Sequence, residues 1–266
     1  MASKPEFWGP RHGAAFRLPG VVAAYDKRPP YPDETFGLLR DLIVDRPVRA
    51  LDLGCGPGVL ARRMVDFADR VDALDLSEGM VEAGRRMPNG DHPRLRWIVG
   101  PAETAPLDPP YALVTAGASL HWMDWDTVLP RLARGLTPNG ALAIVEDAAL
   151  PVAWGAELMP LLGRYSVLRT FRAGVSLIDE LERFGLFEVL GRRETAPIAF
   201  RQSLGDYVES FHGRAGFPRE RMGPDEAEAF DRAVREVVRR HAGDAVEFQV
   251  YATVVWGRPL EPAQSS

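Results

Sequence analysis

The sequence of 266 residues has few features of a disulfide-rich or membrane-spanning protein. Its single cysteine, Cys55, excludes an internal disulfide framework and a zinc site built from several cysteines. The longest apolar stretch, residues 141–145, is too short to span a bilayer and is followed by two acidic residues. Residues 1–13 contain no apolar core segment, so we expect no secretory signal there. A cytoplasmic protein without a membrane partner is therefore expected.

The charge balance and the histidine positions argue against nucleic acid and metal ions as partners. Lysine and arginine number 32 and acidic residues 37, which gives a formal net charge of −5. A protein that coats nucleic acid needs a concentrated basic surface, so we expect no nucleic-acid partner. The five histidines are scattered without metal-ligand spacing, and no metal is expected. A small-molecule substrate is the expected partner.

Short apolar segments alternate with helical periods from Val48 to Asp147. Nearly continuous apolar runs predict parallel strands that are covered on both faces. Such strands are predicted at 48–53, 70–76, 94–100, 111–117 and 140–147. Strands with alternating polarity are predicted at 187–200 and 245–257, and helices at 32–45, 78–87, 125–134, 176–185 and 224–241. Strands separated by helices indicate an α/β fold with a doubly wound, Rossmann-like sheet.

We expect one domain over residues 1–266. Its core is assigned to two segments, 33–147 and 176–257. Elements of a cap are assigned to 1–32, 148–175 and 203–243, of which 148–175 has no clean period. Residues 259–266 are expected to form a flexible tail.

A glycine-rich string, DLGCGPG at 52–58, lies where the first strand meets the first helix. Glycines there let the backbone turn sharply and approach a ligand, and the helix N-terminus supplies amides. Residues 56–61 also satisfy the G-x-G-x-x-A form of a dinucleotide fingerprint. Asp52 favours another ligand, because a carboxylate suits an ammonium group better than a pyrophosphate. Asp75, at the end of the second strand, can accept both hydroxyls of a ribose.

Several segments together resemble the class I S-adenosylmethionine-dependent methyltransferases. They are VRALDLGCGPGVLARRM, VDALDLSEGM, GPAET after the third strand and SLHWMDW after the fourth. The most similar group includes the trans-aconitate methyltransferase-like enzymes, whose Y-D-x-x-R-P-x-Y-P segment resembles YDKRPPYP. The resemblance implies S-adenosyl-L-methionine as cofactor. It also implies a seven-stranded sheet in the order 3-2-1-4-5-7-6, with strand 7 antiparallel and a helical cap.

The resemblance implies roles for particular residues. Asp75 would bind the ribose, Leu76 and Met80 would pack on the adenine, and Tyr25 and Arg28 would close over the methionine carboxylate. The complete set of expected cofactor-binding residues is Tyr25, Arg28, Asp52, Gly54, Cys55, Gly56, Asp75, Leu76, Met80, Ala102, Glu103, Ala116 and Gly117.

His121 follows the fourth strand, where the ligand crevice of an open parallel sheet is expected. One interpretation makes His121 the catalytic general base that deprotonates a substrate hydroxyl. The other makes His121 and Trp122 walls of the cofactor pocket. A carboxylate acceptor would need no base, because it is already ionised at neutral pH. Trp122 and Tyr31 are expected to bind the substrate.

These features predict methyl transfer to an O, N or C nucleophile of a small molecule, with a carboxylate or hydroxyl favoured. One alternative is a protein of the same fold that binds S-adenosylmethionine without methylating, as a ligand-holding or cyclisation catalyst. Another is a nicotinamide dehydrogenase. Arg164, Arg169 and Arg172 are open to two interpretations, an acidic-substrate site and a solvated face.

Overall fold

The computed structural model describes residues 4–168 and 174–261, built around one eight-stranded sheet. The strands are β1 (Arg49–Leu53), β2 (Arg70–Asp75), β3 (Leu95–Val99), β4 (Tyr111–Gly117), β5 (Leu136–Ala149), β6 (Phe187–Glu194), β7 (Ile198–Ser203) and β8 (Ala245–Pro259). Their order is β3-β2-β1-β4-β5-β8-β6, with β7 also paired to β8. β1 to β5 are parallel, and β8 is antiparallel to β5. The predicted α/β Rossmann-like fold is confirmed.

The strand count differs from the prediction of seven. The segment predicted as one strand, 187–200, forms β6 and β7, which lie one after the other along the same side of β8. They are separated at residues 195–197, where Pro197 lacks the N–H that a strand ladder requires. The Thr195 hydroxyl instead accepts the N–H of Ala252 at 3.0 Å. The long strand β8 can therefore pair with both.

The helices pack around this sheet. They are α1 (Pro10–Gly13), α2 (Pro19–Ala24), α3 (Asp33–Asp41), α4 (Ala61–Met64), α5 (Glu78–Arg85), α6 (Trp125–Gly135), α7 (Gly155–Tyr165), α8 (Leu177–Arg183), α9 (Leu204–His212), α10 (Arg219–Met222) and α11 (Pro224–Ala242). Side chains of Ser77, Asp124 and Ser176 cap α5, α6 and α8. No helix in the described ranges has the length and apolar character needed to cross a membrane.

Alternate residues of the central strands are buried on opposite faces of the sheet. Leu51 and Val114 pack in one cluster with Leu129 of α6. Ala50 and Leu113 pack in a second cluster, which includes residues of α3 and α4. Both faces are therefore covered by helices, as the continuous apolar runs predict. The carboxyl ends of the strands remain free for a ligand site.

A third apolar cluster packs helices against the start of β8, where it includes Val246. It joins α7, α9 and α11 around residues such as Leu158, Phe211 and Phe230. α9 also contacts α2 and the 3-10 turn Tyr25–Lys27.

The end of the chain differs in part from the predicted tail. Pro259 still belongs to β8, where it pairs with Phe187, and the Leu260 N–H donates to the Leu186 carbonyl at 2.8 Å. These contacts extend the ordered part of the chain beyond residue 258. Residues 262–266 lie outside the described residues, as do Arg169 and Arg172 of the possible acidic-substrate site.

Candidate active site

Two adjoining cavities lie at the carboxyl edge of the parallel strands, the place where open α/β sheets bind ligands. Their volumes are about 250 and 260 Å³. Tyr25, Arg28, Gly54 and Gly117 line both. The first cavity extends to the residues after β2 and β3, and the second lies between the glycine-rich loop and the proline-rich segment around Tyr31.

The glycine-rich loop presents backbone to these cavities. Gly54 and Gly56 have φ of +68° and +54°, in the left-handed region that favours glycine. A Cβ at Gly54 would lie 2.6 Å from the Cβ of Ser119, and one at Gly56 would lie 3.4 Å from the Tyr25 hydroxyl. The Gly54 N–H donates to the Leu74 carbonyl at 2.8 Å, which folds the loop against β2. A side chain at Gly54 would therefore clash with Ser119 and displace the loop that lines both cavities.

Asp75 lines the first cavity beside this loop. Its Oδ2 accepts the Gly56 N–H at 2.7 Å, and its Oδ1 accepts the Ser77 N–H at 2.8 Å. Each oxygen has a further lone pair, so both can still accept a hydroxyl hydrogen. Leu76 and Met80 line the same cavity and give it an apolar wall. The arrangement fits a ribose and an attached base.

Asp52 lines the second cavity, but only 1% of its surface is exposed. Its Oδ2 accepts the Ala61 N–H at 3.0 Å, and its Oδ1 accepts the Thr115 hydroxyl at 2.9 Å. Burial raises the pKa of Asp52 to about 7, against the lowering effect of these two hydrogen bonds. Asp52 thus joins β1 to α4 and β4, and its contact with an ammonium group stays a prediction.

Arg28 forms an ion pair with a residue that the sequence analysis did not select. Its Nη2 lies 3.0 Å from Oδ1 of Asp147 in β5, and its guanidinium lies 4.9 Å from the Tyr25 ring centroid. Burial opposes the ionisation of Asp147, but Arg28 and Arg214 hold its pKa below the usual value. A Cβ at Gly117 would lie 3.0 Å from the hydroxyl of Tyr31. These groups make a polar wall next to the glycine-rich loop.

Three other predicted residues contact the cavities. Ala102 and Glu103 line the first, and Cys55 lines the second. The Glu103 carboxylate accepts the Asp124 N–H at 2.9 Å, which joins the loop after β3 to the start of α6. Burial raises the pKa of the Cys55 thiol well above its usual value, so it remains protonated.

Of the residues predicted to bind the substrate or to act as a base, some line the cavities and others do not. Trp122 lines the first cavity and Tyr31 the second. Neither Ala116 nor His121 lines either cavity in the part of the chain that the structure describes. Ala116 is fully buried in the sheet core, and the His121 ring packs against Trp122 at a centroid distance of 4.1 Å. Burial, with Lys4 and Arg28 adding, lowers the pKa of His121 to about 3.

The N-terminal segment contributes lining residues that the sequence analysis included only as part of the range 1–32. They are Pro10, Gly13, Phe16 and Arg17 of the first cavity. α1 and the following 3-10 turn are each 4 residues long, too short to show a period. Over residues 4–168 and 174–261, no group of three or more His, Cys, Asp or Glu side chains is placed to hold a metal.

The chain is similar to known methyltransferases. Residues 50–140 match the family model described as methyltransferase domain. The chain is 32% identical over 159 residues to an uncharacterised methyltransferase of Mycobacterium tuberculosis strain H37Rv, covering 58% of this chain and 62% of that protein. It is 39% identical over 115 residues to a trans-aconitate 2-methyltransferase of Methylobacterium nodulans, covering 40% and 41%. The matches therefore span about three fifths or less of these relatives.

Solved structures show the same fold. A protein from Anaeromyxobacter dehalogenans, assigned provisionally as a type II methyltransferase, matches with a TM-score of 0.64 at 24% identity, over 87% of this chain and 97% of that one. The cyclase SpnF matches with a TM-score of 0.54 at 20% identity, over 93% and 94%. The fold thus occurs with more than one activity, and the family match carries the assignment. Residues 50–140 match a methyltransferase domain, and this match confirms the predicted resemblance of the chain to the methyltransferases.

Proposed function

We propose that this protein transfers a methyl group from S-adenosylmethionine to a nucleophile of a small molecule, with a carboxylate oxygen as the favoured acceptor. The observation that carries the proposal is the position of Asp75, held by the amides of Gly56 and Ser77 at the wall of the first cavity. A carboxylate fixed in this way is suited to a ribose diol. The glycine-rich loop beside it leaves room for the rest of the cofactor.

The two cavities divide the proposed cofactor site. We assign the adenosine to the first cavity, where Leu76, Met80 and Ala102 supply apolar contacts. The methionine end would lie at the junction of the cavities, between Gly54 and Gly117, which line both. Asp52 and the Arg28–Asp147 pair are charged groups that line the second cavity.

The position of His121 outside both cavities favours an acceptor that needs no general base, such as a carboxylate. S-adenosylmethionine supplies a methyl group on a positively charged sulfur, so the acceptor needs only to be a nucleophile in the correct orientation. A hydroxyl would need a base to remove its proton, and His121 does not line either cavity. A carboxylate needs none. The names of two relatives, trans-aconitate 2-methyltransferase and malonyl-[acyl-carrier protein] O-methyltransferase, agree with an acidic acceptor.

We also propose the predicted division into core and cap. The N-terminal segment and the cluster of α7, α9 and α11 would cover the carboxyl edge of the sheet. Tyr25 and Phe16 then separate the methyl group from bulk water. Exclusion of water strengthens electrostatic interactions within the site. The protein would contribute orientation and a dry environment.

Transfer of a labelled methyl group tests the proposal. The wild-type protein is incubated with methyl-labelled S-adenosylmethionine and a panel of small carboxylic acids, phenols, alcohols and amines. We expect label in the acids, and in a form that mild base releases as methanol, because methyl esters hydrolyse whereas ethers and methylamines do not. Label only in base-stable products would contradict the carboxylate acceptor. Binding of the cofactor with no transfer to any acceptor would favour the non-methylating alternative.

A matched pair of glycine variants supplies the control. Gly54→Ala places a Cβ 2.6 Å from Ser119 at a positive φ, so transfer should be lost. Gly37→Ala adds a Cβ in α3 with nothing within 4 Å, so transfer should be retained. Thermal unfolding of both variants shows whether a loss comes from the site or from the fold. Equal activity in the two variants would contradict the position of the cofactor.

A further inference from the structure

The loop that follows β3, residues 100–105, forms one wall of the first cavity. Ala102 and Glu103 of this loop line the cavity to which we assign the adenosine. The loop contains a single turn, in which the Ala105 N–H donates to the Pro101 carbonyl at 2.9 Å. One turn does not fix a loop against the rest of the fold, so its position depends on contacts with neighbouring elements.

Two of these contacts hold the beginning and the middle of the loop. The Gly100 N–H donates to the Asp75 carbonyl at 2.9 Å, which joins the loop to the end of β2. The Glu103 carboxylate accepts the Asp124 N–H at 2.9 Å, at the start of α6. The carbonyl groups of the turn itself need other donors, because so short a turn leaves most of them without partners inside the loop.

Arg131 of α6 supplies donors to two of these carbonyls. Its Nη1 donates to the Ala102 carbonyl at 2.6 Å, and its Nη2 donates to the Ala105 carbonyl. The planar guanidinium thus spans both ends of the turn, which the compact ammonium of a lysine does less well. Among the described residues that line the first and second cavities, Arg131 is absent. Its effect on a ligand must therefore pass through the loop.

We propose that Arg131 is a positioning residue, which holds the loop after β3 in place to contact the adenine of S-adenosylmethionine. The inference rests on the proposed function and concerns the adenosine end of the same site. Without the guanidinium, the carbonyls of Ala102 and Ala105 would turn to water, and the loop would move relative to Leu76 and Met80 in the same cavity. A cofactor that must first order this loop binds more weakly.

The binding of two adenosine ligands tests this role. Calorimetry measures the affinity of S-adenosylhomocysteine and of 5′-methylthioadenosine, which has the adenosine but lacks the amino acid. Arg131→Gln should weaken both by about 10-fold, because two charge-assisted hydrogen bonds that order the loop are lost. The KM for S-adenosylmethionine should rise by a similar factor while kcat changes by less than about threefold, because the reacting sulfur lies outside the adenine end.

Two further variants serve as controls. Arg131→Lys keeps the charge without the planar fork and should lose less affinity than Arg131→Gln. Arg134→Gln removes an exposed arginine of the same helix, which pairs with Glu261, and should leave both affinities unchanged.

Hydrogen exchange supplies a readout that a general loss of stability would not give. The N–H groups of Thr104 and Ala105 donate to the Pro101 carbonyl within the turn. Their exchange should be faster in ligand-free Arg131→Gln than in the wild type, while the amides of β1 exchange as before. Saturation with S-adenosylhomocysteine should remove the difference, since the cofactor orders the loop.

Two results would overturn the role of Arg131. One is an unchanged affinity for S-adenosylhomocysteine in Arg131→Gln. The other is a loss of that affinity with normal binding of 5′-methylthioadenosine, which would place the effect at the methionine end. If Arg131→Gln does not fold, Arg131→Lys is measured with the same ligands, and equal affinities to the wild type would overturn the role. Failure of S-adenosylhomocysteine to bind the wild type would instead reject the proposed function.

Discussion

Three carboxylates near the carboxyl edge of the sheet have different partners, and these partners separate their roles. Asp75 is held by two backbone amides and faces the first cavity. Asp147 is ionised by its pair with Arg28. Asp52 accepts hydrogen bonds from Ala61 and Thr115, yet burial raises its pKa to about 7. A carboxyl group with that pKa gains or loses its proton near neutrality, so its charge can respond to a ligand.

Asp52→Asn should make the binding of S-adenosylhomocysteine independent of pH between about 6 and 8. In the wild-type protein, Asp52 is largely protonated at pH 6, because its pKa is about 7. An ammonium group favours the carboxylate, so binding should release the proton. The affinity should therefore rise about tenfold from pH 6 to pH 8, as a group with a pKa near 7 ionises. Calorimetry in two buffers of different ionisation enthalpy measures both the affinity and the released proton.

The asparagine variant keeps the packing at this position. Its amide oxygen can accept the Ala61 N–H, and its size matches the aspartate. A buried charge is removed, so the variant should be no less stable than the wild type at pH 8. An equal pH dependence of affinity in both proteins would show that Asp52 does not meet the ammonium group.

His121→Phe should keep most of the methyl transfer activity. The ring packs against Trp8 and Trp122, and its pKa of about 3 leaves it neutral above about pH 5. The variant should therefore retain kcat within about threefold and show the same pH–rate profile between about pH 5.5 and 8, unlike the loss of about 10²–10⁴-fold that removal of a general base would cause. A loss of that size with unchanged cofactor affinity would restore the catalytic role of His121.

The lowered pKa also has a consequence for stability. The unfolded chain binds a proton at the ordinary histidine pKa of about 6.5, whereas the folded protein does so only near 3. Stability should therefore fall as the pH drops from about 6.5 towards 3, and His121→Phe should be less sensitive to acid in this window. Urea unfolding of both proteins at several pH values measures the difference.

At the scale of elements, the N-terminal segment joins the proposed cofactor site to the rest of the fold. The Gly9 N–H donates to the His121 carbonyl at 3.0 Å, and the Lys4 ammonium donates to the Met123 carbonyl at 2.5 Å. Residues of α1 and the following turn line the first cavity. A ligand bound beneath this segment should therefore add to its order.

Hydrogen exchange tests the segment as a lid. S-adenosylhomocysteine should slow exchange of amides in residues 10–31, because the cofactor would contact the inner side of this segment. Amides of α11, which lies away from both cavities, serve as the internal reference and should be unaffected. Exchange that is unchanged in residues 10–31 with the ligand bound would contradict a lid.

The sequence predicts elements where their pattern is local. β1 to β5 have nearly continuous apolar runs, and α11 has charged residues that match the helix dipole at both ends. α7 was not predicted, since Pro160 and Gly163 lie within it and mask the period. Its stability comes from packing in the cluster with α9 and α11, a tertiary effect that the pattern does not contain.

Site residues also divide into those that are close in the sequence and those that only the fold brings together. Asp75 and Gly56 lie on one loop-and-strand unit, so their spacing in the sequence was sufficient to predict that they meet. Asp147 and Arg28 meet only because β5 and the N-terminal segment approach each other in the fold. Sequence spacing alone could not indicate it.

At the scale of the whole molecule, a methyltransferase domain matched over residues 50–140 adjoins the helices α7, α9 and α11, which we propose to form part of a cap. The sheet supplies the fixed loop and the two carboxylates Asp52 and Asp75. The proposed cap supplies an apolar cluster that includes Phe211 and Phe230. A cofactor bound between the two parts should stabilise both, because it binds only the folded protein.

The measurement that tests the central claim most directly is a calorimetric titration of the wild-type protein with S-adenosylhomocysteine, beside a titration with NAD. We predict one site with a Kd in the micromolar range for S-adenosylhomocysteine, and no heat of binding for NAD. Asp75→Ala should weaken the first by about 1–3 kcal/mol, since two hydrogen bonds to the ribose are lost. Asp41→Ala, at an exposed acid of α3, should not. Tight binding of NAD without binding of S-adenosylhomocysteine would contradict the account.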